Sequence, residues 1–413
     1  MRKRLVVAIV SVAVLATACS SSSGDESAAG QAIDATALAA EVALTTEEWL
    51  AASGVPGVTL AVVGPDGLEI VEVAGVSDLR SGEAVTAADH WRFGSITKPM
   101  TSAIVLALVD EGLIDLDAPV SQYLGEGWAA GYTLDGVDYG DTLTVAQMLN
   151  HTAGFAEYAF DPGFYALVSD RLDQPLEPEE VVAWGVERGP QSVPGTTYSY
   201  TTVGHVVAGL IIEAVTGRPA ADVFAEYLFV PAGAENAFLP PSGFPADGVV
   251  NGHVGGILAD YIASLPAIAA LEGEARRGDL LDISVAPQEV LTTAGWTGGG
   301  IEAQPDDIAR IMRVIFNGTV LDEAAIATFT TPVPGENYGL GIRVGEIDGY
   351  TVYSHGGGVP GFRSDALYIP ELDIAVAAST NLVPLDPDNE IGDLTRQVAS
   401  LAIAAVTRSL TPA

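Results

Sequence analysis

Ser95 and Lys98 stand three residues apart in the run Phe93-Gly94-Ser95-Ile96-Thr97-Lys98-Pro99, which leads into the apolar stretch Met100 to Val109. A serine hydroxyl is nearly inert at pH 7 until a neighbour removes its proton. If Ser95 opens a helix, Lys98 lies one turn later on the same face and its amine reaches the hydroxyl. A lysine near its ordinary pKa of about 10.4 is protonated, so such a base needs burial or nearby cations to lower it. The spacing alone is common, and a helix start followed by a solvated lysine has the same pattern.

The elements around this pair set the frame. Helical spacing over Gln31 to Ala52, with Leu38, Val42, Leu44 and Leu50 among polar positions, predicts a helix. Val58 to Val63, the turn Gly64-Pro65-Asp66-Gly67 and Leu68 to Val73 predict a hairpin. A second β cluster comprises Tyr338 to Val344, Tyr350 to Tyr353, Ala366 to Ile369 and Ile374 to Ser379, followed by a helix from Ile391 to Arg408. Between the clusters the pattern is helical, as in Val203 to Thr216 before Gly217 and Pro305 to Phe316 before Asn317-Gly318. The expected fold class is α+β: an antiparallel sheet from both chain ends flanked by helices, with an inserted all-helical lobe. Residues 31–413 form the domain, its sheet lobe drawn from about 31–95 and 335–413 and its helical lobe from about 96–334. Residues 254–291, with the charged run Glu272 to Asp279, read as a surface excursion of the helical lobe.

With 413 residues, 48% hydrophobic, the chain can bury a large core. A formal charge of −37 disfavours nucleic acid and binding driven by anionic lipid. Arg2-Lys3-Arg4 followed by apolar Leu5 to Leu15 reads as an export signal, too short for an ordinary membrane span. Ala16-Thr17-Ala18-Cys19 predicts removal of residues 1–18 and lipid on Cys19, the only cysteine, which also excludes an internal disulfide. Ala16-Thr17-Ala18 suits ordinary signal peptidase at the same bond, so secretion is the alternative. Residues 19–30 would tether the domain to the outer face of the cell membrane.

Three further segments follow Ser95 and Lys98 in order: Leu143 to Phe155, containing His151-Thr152-Ala153-Gly154-Phe155; Pro194-Gly195-Thr196-Thr197-Tyr198-Ser199-Tyr200 running into His205; and His355-Gly356-Gly357-Gly358 to Ser364. Together they resemble the serine β-lactamase-like family, which covers class C β-lactamases, D-alanyl-D-alanine carboxypeptidases, related D-aminopeptidases and family VIII-type esterases. The resemblance spans nearly the whole chain after the tether. It implies that Ser95 is the acyl-accepting nucleophile, Lys98 its base or proton relay, and Tyr200 a phenol sharing a proton with both. Lys98 and Tyr200 would titrate as a coupled pair, so either could be the base. His355 would supply a positive or hydrogen-bonding edge, and Gly356 and Gly357 would let substrate approach the backbone. The N–H of Gly358 would pair with that of Ser95 around the oxyanion. A core tyrosine and a glycine turn between strands are the plainer alternatives for Tyr200 and His355-Gly356-Gly357. His151 is expected to support the loop rather than catalyse. Phe155, Glu157 and Tyr158 are candidates for the mouth. Arg363, and after it Arg343, could hold a substrate carboxylate, or simply form a surface ion pair.

The second motif departs from the family's usual Tyr-x-Asn: it reads Tyr200-Thr201-Thr202. Thr202 offers a short hydroxyl where an amide would meet the substrate, a loss of about 1–3 kcal/mol if a buried partner is left unpaired. Gly356 likewise stands where threonine is more usual. Both keep the choice among ester, amide and lactam carbonyls open. The leading reading is an exported, lipid-anchored serine hydrolase working through an acyl-enzyme on a small-molecule or peptide substrate. The alternative is a lipoprotein of the same fold that binds or traps a cell-wall fragment or β-lactam without turnover. There is no Gly-x-Ser-x-Gly elbow, no His-Glu-x-x-His among the five histidines and no phosphate-binding glycine loop. No cofactor or metal is expected, nothing requires an oligomer, and a monomer is the expectation.

Overall fold

The computed structural model describes residues 33–410 apart from 160, 170, 241–247, 288, 386 and 388. The predicted signal peptide, Cys19 and the tether lie outside the described residues. A first helix, α1 (Ala35–Ser53), starts later than its apolar spacing predicts because the Asp34 side chain caps it, accepting from the Ala37 N–H at 3.0 Å. Gly54, at φ 71°, ends it.

The hairpin forms as β1 (Gly57–Val63) and β2 (Glu69–Asp78), with a short β3 (Glu83–Ala84) beside it. The C-terminal cluster supplies β4 (Arg343–Ile347), β5 (Tyr350–Val359), β6 (Phe362–Ile369) and β7 (Ile374–Thr380). The seven strands form one antiparallel sheet in the order β4-β5-β6-β7-β1-β2-β3, so the two chain ends meet at the β7–β1 pair. Tyr338 to Ile342 does not join β4. Gly341, at φ 94°, turns the backbone there and leaves Tyr338 buried under the sheet's edge.

Alternation divides the sheet into two cores. Ala61, Val63, Ala366, Tyr368, Ala375 and Ala377 face a helix drawn from the predicted run at Pro305 and the lobe behind it. Val58, Leu60, Val62, Leu367, Ile369, Ile374 and Val376 face α1 and the C-terminal helix, Ile391–Leu410. Each large apolar side chain buried this way contributes about 1.5–3 kcal/mol.

In the intervening lobe, α2 (Thr97–Asp110), α3 (Val145–Leu149), α4 (Val203–Thr216), α5 (Trp296–Gly299) and α6 (Pro305–Phe316) matter most for the site, and the C-terminal helix is α7. In α6, Ile308, Ile311, Met312 and Ile315 lie at helical spacing and bury one face on β1, β6 and β7.

This lobe is not all-helical. Glu302–Ala303 pairs with Trp91–Arg92, and Thr133–Leu134 with Val137–Asp138. Nor is 254–291 a surface excursion. His253–Gly255, Arg276–Arg277 and Leu280–Asp282 form a small sheet with Leu382–Val383, and Val254, Leu281 and Asp282 are buried. Asp282 there accepts from Arg80 and Asn251 at 3.3 Å each, a buried junction that apolar periodicity does not announce. Among the described residues no helix is long and apolar enough to cross a membrane.

Candidate active site

Ser95 does not open α2. It sits in a tight 3₁₀ turn, Gly94–Ile96, immediately before that helix. Gly94 takes φ 55°, and a Cβ there would come within 2.9 Å of the Gly358 nitrogen, so only glycine allows β5 to approach the turn. Thr97 Oγ1 donates to the Gly94 carbonyl at 2.7 Å and accepts from the Ile301 N–H at 3.0 Å. Ser364 Oγ, from β6, donates to the Phe93 carbonyl at 2.8 Å. The turn is therefore pinned from both lobes, while Ser95 itself is half-buried and reachable.

Lys98 is fully buried one turn on. Its Nζ lies 3.0 Å from Ser95 Oγ, 3.2 Å from Thr202 Oγ1 and 2.7 Å from the Gly298 carbonyl. Three acceptors saturate an ammonium. In the neutral amine, two N–H donors can keep Gly298 and Thr202, and the lone pair then faces the Ser95 hydroxyl. Burial lowers the Lys98 pKa to about 7, with the Glu157 carboxylate pulling it back upward. The Gly298 carbonyl comes from α5, which is wedged between α2 and α4. Thr101 Oγ1 donates to the Thr297 carbonyl at 2.5 Å, and Thr297 Oγ1 to that of His205 at 2.9 Å.

Tyr200 precedes α4 in a segment held by its neighbours. Ser199 N–H donates to the His151 carbonyl at 2.8 Å, Thr201 Oγ1 to the Ala156 carbonyl at 3.2 Å, and Thr202 N–H to Glu157 Oε2 at 2.5 Å. Glu157 thus satisfies a donor at the start of α4 that has no partner within the helix. The Tyr200 ring centroid is 4.9 Å from Lys98 Nζ. Burial pushes its phenol well above the usual range, and the neighbouring Ser95 hydroxyl acts against that shift. Near neutral pH the phenol keeps its proton.

β5 forms the opposite wall. β4 pairs with β5 only as far as Ser354, so among the described residues 355–359 have no strand partner on that side. A Cβ on Gly357 would lie 2.0 Å from the Phe93 carbonyl oxygen, and Gly358 is exposed. Gly356 faces the other way, toward Asp365 and α7.

For His355 and Arg363 the structure selects one of two expected roles. Of a positive or a hydrogen-bonding edge, His355 is the second: it is buried, and desolvation together with the Lys98 charge lowers its pKa to about 3. It is a neutral hydrogen-bonding group. Arg363 shares the sheet face of Gly358, opposite Gly357, and its Nε meets Glu390 Oε2 at 3.3 Å, so the surface ion pair is what forms. Arg343 bonds Asn337 and lies over the Tyr338 ring. Thr202, read as a substrate contact, is turned to Lys98 instead.

The structure gathers Ser95, Lys98, Tyr200, Thr202, His355, Gly357 and Gly358 around one spot. It adds groups that sequence reasoning passed over: the Gly298 carbonyl, Tyr338 and His205. A backbone oxygen carries no sequence signal. Tyr338 was hidden in an alternating run that read as strand. His205, in the first turn of α4, is buried with Nε2 3.3 Å from Ser102 Oγ.

Residues 42–400 match the family described as Beta-lactamase. The chain is 29% identical over 345 residues to penicillin-binding protein 4 of Amycolatopsis lactamdurans, covering 79% of this chain and 81% of that protein. It is 26% identical over 329 residues to a D-aminopeptidase of Cereibacter sphaeroides, covering 79% of this chain but only 57% of the relative's length. Among solved structures, the D-amino acid amidase of Ochrobactrum anthropi SV3 superposes with TM-score 0.72 at 20% identity, covering 91% of this chain and all of that one.

Proposed function

Since the chain belongs to the β-lactamase family, whose members are serine hydrolases, we propose that Ser95 is its acylated nucleophile and Lys98 the base. One observation carries this reading: Lys98 Nζ is 3.0 Å from Ser95 Oγ, while its other two contacts only hold it in place. The Ser95 proton passes to Lys98 as Oγ bonds the carbonyl carbon. The resulting oxyanion is held by the N–H groups of Ser95 and Gly358. As the tetrahedral species collapses, the bond to the leaving group breaks, and that group takes a proton from Lys98 directly or through the Tyr200 phenol. Water then attacks the acyl-enzyme carbonyl and gives a proton to Lys98, and Ser95 Oγ takes that proton as its bond to the carbonyl carbon breaks and the acid is released. The geometry favours Lys98 over Tyr200 as the base, because burial brings the lysine down toward neutrality and drives the phenol up.

The substrate we propose is an amide or short peptide with a free amino group, of the D-aminoacyl kind that the relatives' names indicate. The half-buried Glu157 carboxylate beside Lys98 and Tyr200 supports this, because it favours a cation at the mouth. The protein is proposed to act outside the cytoplasm, anchored through lipid on Cys19.

The test is a substrate panel on purified protein: D-phenylalanine amide and its N-acetyl derivative, a D-Ala-D-Ala peptide, a chromogenic cephalosporin and p-nitrophenyl acetate. A covalent serine probe read by mass spectrometry accompanies it. The expected result is a Ser95 adduct and turnover that vanishes in Ser95→Ala. No adduct on Ser95, or equal labelling of that variant, would sink the mechanism. Equal rates on the free and N-acetylated amides would sink the substrate assignment alone.

A further inference from the structure

Four hydrogen bonds link the two walls of the site through residues that have no part in the proposed chemistry. Thr201 N–H lies 3.4 Å from His151 Nδ1, the longest of the four. His151 Nε2 is 3.0 Å from Tyr338 Oη, which is 2.8 Å from His355 Nε2. His355 Nδ1 is 2.6 Å from the Gly356 carbonyl. One end is an amide N–H, which can only donate. The other is a carbonyl, which can only accept. The direction of every bond between them follows. Thr201 donates to His151, His151 Nε2–H to Tyr338, the Tyr338 hydroxyl to His355 Nε2, and His355 Nδ1–H to Gly356. Four protons fill four bonds. An extra proton on either imidazole would set two hydrogens against each other across one contact.

We propose that this one-way chain is a positioning device, with Tyr338 its central positioning residue, fixing the Tyr200 segment of the helical lobe against the β5 wall that carries Gly357 and Gly358. His151 takes φ 60°, a conformation its side chain would not choose alone, and its ring lies 4.5 Å from that of Tyr200. All three side chains of the chain are buried. The surroundings hold the imidazoles neutral. Lys98 from α2 and Arg343 from β4 are cations facing them, and His205 from α4, Tyr198 and Tyr200 complete the enclosure. Both histidines lie below their usual pKa, burial being the main cause. The chain acts on geometry: Tyr200 is adjacent to Thr201, and Gly356 adjoins Gly357, so slack in any bond moves a wall of the site. Misplacement of reacting groups by about 1 Å can cost a hundredfold in rate, so loss of one bond in a packed site is expected to cost about tenfold.

The catalytic consequence rests on the acyl-transfer reading, whereas the bond directions do not. The test begins with the unmodified protein, labelled with ¹⁵N in histidine, with His151 and His355 assigned by single His→Gln variants. The expected NMR result is an Nε2–H tautomer at His151 and an Nδ1–H tautomer at His355, both unchanged from pH 5 to 9. The opposite tautomer, or a charged ring at pH 7, overturns the chain whether or not any substrate is turned over. The second arm is Tyr338→Phe, which keeps the ring and removes the hydroxyl. The expected result is a drop of about tenfold in kcat with KM changed less than twofold, and displaced ¹⁵N signals at both histidines. A folded Tyr338→Phe with wild-type kcat overturns the positioning role. If Tyr338→Phe does not fold, His355→Gln, which can still accept from Tyr338, is read in the same way.

Discussion

The two faces of β5 and β6 handle buried polar groups differently. On the inner face, His355, Ser364 and Tyr338 lie between the Ser95 turn and the helical lobe, and the polar side-chain atoms of these three each find a partner of fitting donor or acceptor character. On the outer face Arg363 reaches the surface to pair with Glu390, while Asp365 has its carboxyl buried against α7, where it takes a hydrogen bond from Thr395. Both faces push ionisable groups toward their neutral forms, lowering Lys98 and His355 and raising Asp365, with burial as the first cause in each case. What separates them is whether the neutral form is aimed at anything. Neutral Lys98 presents a lone pair to a hydroxyl that solvent reaches, whereas neutral Asp365 ends in a threonine inside the core. Perturbation marks burial on either face; only geometry marks a site.

The largest effect expected is at Lys98. Lys98→Met should lower kcat/KM by about a thousandfold or more, because the nucleophile loses its base. The same change should leave thermal stability unchanged or raise it, since folding places this amine where its charge is disfavoured. A variant that loses activity and stability together would make Lys98 a structural cation and erase the contrast between the faces. Next comes pH. Lys98 must be neutral to accept a proton, so kcat/KM should rise from pH 6 to 8 around an apparent midpoint near 7. Because the folded pKa lies below the unfolded one, the folded chain binds fewer protons between about 7 and 10.5, and this group's contribution to stability grows with pH across that window. A rate flat from pH 6 to 8 would remove Lys98 as the base.

Thr202 sharpens the comparison within the inner face. Thr202→Val keeps the shape and removes the hydroxyl that holds Lys98 at 3.2 Å. A loss of about 1 kcal/mol, or about fivefold in kcat/KM, is expected for one such bond, with the substrate preference unchanged, because the hydroxyl faces the lysine. A changed ranking among ester, D-aminoacyl amide and peptide would show that Thr202 meets substrate after all.

The sequence disclosed what is local or periodic. Ser95 and Lys98 are one turn apart, so their contact needs nothing beyond the 3₁₀ turn and the start of α2, and the bounds of α4 and α6 follow from apolar spacing with Gly217 and Pro305 as punctuation. Groups brought together by long-range packing stayed hidden. The third partner of Lys98 is the carbonyl of Gly298, two hundred residues away, and a glycine's oxygen leaves no pattern. Tyr338 read as strand because Tyr338, Leu340, Ile342 and Val344 alternate; the left-handed Gly341 sends it beneath β5 instead. The neutrality of His355 depends on burial, which a motif does not state. The placement of Arg363 could have been reached from alternation, since it lies opposite Gly358 in register and therefore on the α7 side.

The smallest effect on activity is expected on the outer face. Asp365 has its folded pKa raised to about 6 from an ordinary value of 3.8, by burial first, with the Thr395 hydroxyl and the Arg396 and Arg363 charges acting against that rise. The fold therefore favours its protonated form. The resulting stabilisation is complete below about pH 3.8 and is lost as pH rises through about 6, a change of about 3 kcal/mol for two pKa units. Asp365→Asn keeps a neutral group of nearly the same shape at all pH values. Denaturant unfolding should then show the variant's stability falling less steeply than wild type between pH 4 and 6, and kcat/KM at pH 8 should stay within a factor of two. Gly356 is the register partner of Asp365 in β5, and its carbonyl accepts from the His355 ring N–H, so a strand shift on the outer face would reach the inner one through that oxygen. Equal pH slopes in both proteins would mean that Asp365 stays charged in the fold, and a large loss of activity would mean that the two faces of the sheet are mechanically one.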